Sequence, residues 1–361
     1  MNYRLRLFQL AGLLVLAALL YGGAIEELTV IRRYRLSLAA DSIGVGGDVI
    51  WLSRRHPIGT ESAVPSVVAL DAASGNVRAP IELEVAKYGL TLAVGPLGAW
   101  VAGGDRRTEL FHLDPRTNMV ATTIAIGESI AHLAVASDAI WATTYGPLGP
   151  KPYSGRHTVV RIDPVGPAVV PVGSNLGSGP LLAAFNSIWV FDSSNGSVNR
   201  IDSRTNTVVA NISVVSPSGR TTPPRYLRQV IAGEDYVWLL YGFLGTTPLP
   251  SFVARIDPAT NRLVGDYTEI GNSAHIAAGG GFLWVATYDQ GIGPMLLRFD
   301  PRTLKMVGTP MKVTPFVSRL DYGFDSVITV AIYSNPESHP TIVQQYAFRP
   351  RWRRWFSRAV Q

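Results

Sequence analysis

The chain of 361 residues contains no cysteine, and this one absence removes disulfides, thiolate metal centres and cysteine nucleophiles together. Its stability must come from packing. Charge is also scarce, at 16% of residues against 47% hydrophobic. The formal net charge of +6 is concentrated at the ends. Arg4, Arg6, Arg349, Arg351, Arg353, Arg354 and Arg358 supply seven positive charges in segments without an acid, leaving the body near −1. Basicity confined to tails points to a membrane surface and away from nucleic acid. A glycine-rich phosphate cradle with its lysine, a Gly-x-Ser-x-Gly elbow and an HExxH helix are missing too, which removes the commonest nucleotide, hydrolase and zinc-protease signatures.

Long apolar runs are nearly absent. The exception lies between Leu10 and Leu20, preceded by Arg4 and Arg6 and followed by Glu26 and Glu27. Positive charge before such a run and negative charge after it orients the N-terminus to the cytoplasm and the body outside. Residues 1–27 are therefore expected to be a transmembrane signal anchor, giving a single-pass protein of the cell membrane, or a signal peptide. The small residues Gly22, Gly23 and Ala24 would permit cleavage and secretion.

Between the ends the chain is repetitive. The stretch from Ala274 to Val313 reads as four short strands: a small-residue strand and a Gly turn, an apolar strand carrying Trp284, a third strand ending at Asp300-Pro301, and a fourth. Period-2 runs bounded by Gly, Pro and Asp at this spacing form one β-propeller blade. The strand-two tryptophan recurs as Trp51, Trp100, Trp141, Trp189, Trp238 and Trp284, and the strand-three aspartate as Asp71, Asp114, Asp163, Asp202, Asp257 and Asp300. Each Asp opens a tight turn, where its carboxylate can accept a backbone N–H two residues on, so it is read as structural.

A seventh copy, SVITVAIYS, carries Thr329 at the tryptophan position and Ala347 at the aspartate position, with no room for a fourth strand after residues 341–350. The missing strand is available at Thr29 to Leu38. The expected fold is thus all-β: a seven-bladed β-propeller over residues 28–348, closed by an N-terminal strand in the last blade. The first strand of each copy is rich in Ala, Val and Gly and should line the axis, with the tryptophans packed between blades.

Loop length separates the two faces. The Trp-to-Asp interval varies from 13 to 22 residues, while the Asp-to-Trp interval holds at 26 to 29 apart from one insertion, Ser216 to Pro224. Variation falls on one face, where binding is expected. Candidates there are Arg55 and Arg156, the tyrosines Tyr145, Tyr241, Tyr288 and Tyr333 at strand-two ends, and His132 and His275 at matching inner-strand positions. Tyrosines around a concave mouth with arginines above would suit an anionic or carbohydrate-like ligand, or a protein partner. No metal site and no cofactor are predicted, since Glu128 is the only acid close in sequence to either histidine.

The tail, residues 349–361, combines five arginines with Trp352, Trp355 and Phe356. Trp and Arg together suit the lipid interface, so Arg351, Trp352, Arg353, Arg354, Trp355 and Phe356 are membrane-contact candidates. Strand direction would bring anchor and tail out side by side on the short-turn face.

The blade string, with its small-residue strand, Gly turn, LWVAT and RFDPRT, resembles the YVTN (YncE-like) and virginiamycin B lyase-like propellers from about Ile43 to Met311. The Gly-His and Trp-Asp marks of the Trp-Asp-repeat propellers are lacking. The lyase resemblance implies a divalent-metal-assisted elimination using His and Glu at the channel mouth, onto which only His132 or His275 could be matched. The favoured expectation is a membrane-tethered binding scaffold; the alternative is that lyase, or a hydrolase.

Overall fold

The computed structural model describes residues 27–36, 40, 42–54, 64–83, 90–104, 107–145, 157–166, 168–192, 196–214, 226–242, 250–289, 292–313, 317–323, 325–331 and 341–349. Residues 1–26 of the expected membrane segment and the tail residues 350–361 lie outside them, and Glu27, the last residue of that expected segment, opens the first strand. No helix among the described residues is long and apolar enough to cross a membrane.

Alternating apolar and polar residues between Gly and Asp turns fold into seven antiparallel sheets, each a blade. Blade 6 is representative, with strands Ser273–Gly279, Phe282–Asp289, Gly293–Phe299 and Met311–Lys312 from the axis outward. Blade 7 is composite. Its inner three strands, Arg319–Gly323, Ser326–Ala331 and Thr341–Arg349, come from the C-terminal end of the chain, and its outer strand is Glu27–Leu36. That strand pairs antiparallel with the last one, from Glu27 opposite Arg349 to Leu36 opposite Thr341, with a bulge between Val30 and Arg32. The inner strands touch in sequence from blade to blade, and that of blade 7 touches that of blade 1, so the ring is closed. A bare edge on Thr341–Arg349 would invite pairing with another chain; closure removes it.

The core is divided among seven inter-blade wedges. In one, Trp238 of blade 5 packs on Ile276, Leu283 and Val285 of blade 6. In the next, Trp284 of blade 6 packs on Leu320 and Val327 of blade 7. All six repeat tryptophans are no more than 2% exposed. Each therefore faces the following blade, where a side chain of this size dominates the packing energy.

The seventh wedge corrects the expectation for Thr329. Trp284 pairs with Arg298, two residues before Asp300, and Ile328 pairs with Gln345, two residues before Ala347. Ile328 also packs on Ile50 and Leu52 of blade 1. Ile328 is therefore the tryptophan equivalent and Thr329 points to the opposite face. A shift of one residue along a strand reverses its sides, and spacing alone carries no information about that choice.

Two further devices join the blades. The turn aspartates accept backbone N–H groups two and three residues on, as Asp300 does from Arg302 at 3.0 Å and Thr303 at 2.7 Å. These bonds stabilise the ionised form and hold each carboxyl below its usual range. The turns in turn offer carbonyls to the preceding blade. Arg255 donates to Pro301 O at 2.7 Å and Arg302 O at 2.6 Å, and Arg200 donates to Asn261 Oδ1 at 2.7 Å and to Pro258 O. At the closing joint the equivalent position holds Gln345, and Arg32 of the N-terminal strand donates to Ala72 O in the blade 1 turn. Close approach at the axis completes the joint: a Cβ at Gly323 would strike the Val45 side chain of blade 1.

Candidate functional site at the channel mouth

Each inner strand enters from the loop-rich face, and the residue two before the tryptophan partner lies at the mouth. The strand registers give that set as Ser42, Thr91, His132, Pro180, Gln229, His275 and Arg319. Six of the seven are polar, whereas two residues deeper the positions are Gly44, Ala93, Ala134, Leu182, Ile231, Ala277 and Asp321. The axis thus changes from a polar rim to a mostly small, apolar throat. Bulges before His132, Gln229 and His275 place these three alike.

The polar rim does structural work first. The free edge of an inner strand has N–H and C=O groups without a sheet partner. Gln229 fills that need across a joint: its Nε2 donates to Ile276 O at 2.8 Å and its Oε1 accepts from Ile276 N at 2.9 Å.

His275 and His132 occupy the same position with a different consequence. Burial, the Arg319 guanidinium and then Arg228 press the His275 pKa down to about 3. Arg319 Nη1 lies 3.4 Å from its Nε2. Burial, Arg107 and His157 lower His132 to about 4, partly opposed by a hydrogen bond to the Ser178 main chain. Both imidazoles are therefore neutral at physiological pH, and their charged neighbours are arginines. No group of three His, Cys, Asp or Glu side chains converges on a metal-sized space among the described residues.

The tyrosines divide by parity. Tyr145 and Tyr288 lie four residues past their tryptophans and keep the tryptophan face. Tyr145 packs against His157 with ring centroids 4.5 Å apart. Tyr288 is 43% exposed and lines a cleft of about 560 Å³ between blades 5 and 6, with Ile270, Ile292, Met295, Leu297 and Phe299. Tyr241 lies three past Trp238, so it turns to the other face. There it is 6% exposed, edge-on to Tyr267 at 5.3 Å, in the wedge with Trp189 and Phe191. It is a core residue and does not reach the mouth. Arg55, Arg156 and Tyr333 lie outside the described residues, as do the membrane-contact candidates Arg351, Trp352, Arg353, Arg354, Trp355 and Phe356.

Sequence reasoning missed Arg107, Arg228, Gln229 and Arg319. The signal was present: aligning copies on the tryptophan puts Gln229 in register with the two histidines, and the corrected blade 7 register adds Arg319. Without the Ile328 assignment, Arg319 falls one position out.

This architecture is that of a seven-bladed β-propeller with its candidate site at the loop-rich channel mouth. Neither a protein-family model nor a curated protein sequence matches the chain. Among solved structures, a chain described as Kuenenia stuttgartiensis hydrazine synthase is similar in fold, with TM-score 0.57 and 14% identity over 82% of this chain and 92% of that chain. At that identity the likeness concerns the fold alone.

Proposed function

We propose that the protein is an exported, membrane-tethered binding scaffold that receives a ligand or protein partner at its loop-rich face. The observation that carries this reading is the electropositive rim, where Arg107, Arg228 and Arg319 stand around two neutral histidines above an apolar throat. Fixed positive charge at a concave, partly dehydrated mouth attracts an anionic group and orients it. Tethering is supported by the pairing of Glu27 with Arg349, which brings the chain ends into and out of the disc at one point on the short-turn face. A membrane there leaves the loop-rich face open.

Capture from a native membrane extract tests the function. The full-length protein should retain a component that the Arg228→Gln, Arg319→Gln double variant releases; an unchanged set of captured components refutes the proposal. The second reading, a divalent-metal lyase of the virginiamycin B type, draws on His132 and His275, whose imidazoles are neutral. Stoichiometric metal in the purified protein, lost on His275→Ala, would decide for the lyase.

A further inference from the structure

The cleft between blades 5 and 6 exists because two aromatic side chains that close the preceding joint have no counterpart in it. Between blades 4 and 5, Tyr241 and Tyr267 pack edge to face with centroids 5.3 Å apart, and the Tyr267 hydroxyl donates to Val214 O. Strand register finds the equivalent positions one blade on. Tyr241 lies three residues past Trp238, as Thr287 lies three past Trp284. Val253 and Leu296 each pair with the residue two past their blade's tryptophan, and their outer-strand partners are Thr268 and Met311. Tyr267 precedes the first of these and Pro310 the second. Thr287 and Pro310 both line the cleft of about 560 Å³. Two phenol rings thus give way to a threonine and a proline, and the space stays open over Met295, Leu297 and Phe299.

The walls are fixed before anything enters. Ile270 N donates to Ser251 O at 3.0 Å and Ser251 N to Gly271 O at 2.7 Å, which pins the connection between the blades to blade 5. Tyr288 N and Thr287 Oγ1 donate to Asn272 O at 3.1 and 2.9 Å, which pins it to blade 6. A preformed apolar cavity of this size falls in the range of small-molecule sites and costs little ordering when filled. Its spare polar groups are acceptors. Val214 N and Ile270 N make the same bond in their blades, to Gly196 O and Ser251 O, so Val214 O corresponds to Ile270 O. The first takes the Tyr267 hydroxyl, whereas no donor reaches the second among the described residues. Glu269 also lines the cleft, and no cation pairs with its exposed carboxylate among the described residues. A ligand suited to both groups brings N–H donors and positive charge.

We propose that this cleft is a second binding site, separate from the arginine rim, for a small aromatic molecule that carries an ammonium group. The rings occupy the space that Tyr241 and Tyr267 fill in the preceding joint, on a floor of Met295, Leu297 and Phe299. The ammonium meets Glu269 at the edge and donates to Ile270 O. Tyr288 and Ile292, 43% and 54% exposed, form a lip on the loop-rich face, and covering their apolar surface adds to affinity. Glu269 repels an anion, so the cleft and the channel mouth select ligands of opposite charge.

Calorimetric titration of the full-length protein with tryptamine, tryptophol and indole-3-acetate tests this, since the same ring system then carries a cation, a neutral hydroxyl or an anion. Tryptamine should bind with a dissociation constant of about 1 mM or below, tryptophol about threefold more weakly, and indole-3-acetate more weakly still. Glu269→Gln, an exposed substitution, should erase the advantage of tryptamine over tryptophol. Thr287→Tyr combined with Pro310→Tyr rebuilds the plug of the preceding joint and should abolish binding of every probe. If that double variant fails to fold, the Glu269→Gln comparison alone decides. Absence of tryptamine binding, equal affinity for the three probes, an advantage that survives Glu269→Gln, or binding that survives the rebuilt plug each overturns the site. None of these results bears on the channel mouth, which is decided by the capture experiment.

Discussion

Asp321 is the one charged residue among the seven tryptophan-partner positions, and replacing it with asparagine gives a prediction whose sign and size follow from its site. It pairs with Ile328 on the face that packs against blade 1, where Ile50, Leu52, Ile43 and Val45 form the wall. Its carboxyl accepts one backbone hydrogen bond, from Tyr322 N at 2.8 Å. Loss of hydration outweighs that bond and raises the pKa from 3.8 to about 6. A folded value above the unfolded one means that the folded state holds the proton more tightly. The protonated carboxyl's contribution is therefore whole below about pH 4 and is lost as pH rises through 6. Two pKa units correspond to about 3 kcal/mol, an upper bound for a half-buried group, or about 4 °C in melting temperature for a body of this size.

Asp321→Asn removes the titration and keeps the shape. The assay is the melting temperature of parent and variant from pH 4 to pH 8. Raw curves mislead, because His132 and His275 titrate with the opposite sign: their lowered values remove stability as pH falls from 6.5 toward 4. The difference between the two proteins isolates Asp321. It should favour the variant progressively from pH 4 to pH 7 and then level off. A difference that stays flat across this range refutes the reasoning.

Two other substitutions test the joints and turns. Gln229→Leu leaves Ile276 N–H and C=O unmet at the joint between blades 5 and 6, and should lower the free energy of urea unfolding by about 2–4 kcal/mol; a loss under about 1 kcal/mol would mean that water replaces the amide. Leu304 sits at φ 54° in the blade 6 turn, where the equivalent turns have Gly75, Asn118, Asn206 and Asn261. Leu304→Gly should raise the unfolding free energy by about 1 kcal/mol in the same assay, and a destabilised variant would show that the leucine's packing outweighs backbone strain.

Much of the molecule could be read from its sequence, because a propeller repeats one local solution. The tryptophans, the Asp turns and the Ala- and Gly-rich inner strands each recur with their own physical reason, and the loan of Glu27–Leu36 to the last blade follows from counting strands. That counting placed the borrowed strand two residues late and Thr329 one residue off, since a degenerate copy without Trp or Asp has nothing to anchor its register. The site was far less legible. Tyr241 was grouped with Tyr145 and Tyr288 by nearness to a strand end, yet three residues past a tryptophan and four are opposite faces of a sheet.

What the amino-acid order determined alone is the blade: strand period, turn chemistry and the residue each turn needs are local properties. What only the tertiary structure decided is which side chains of different blades meet. Arg319 with His275 and Gln229 with the edge of the next inner strand are contacts across joints, and the charge of Arg107 acts on His132 across another, between residues that no spacing within one blade relates.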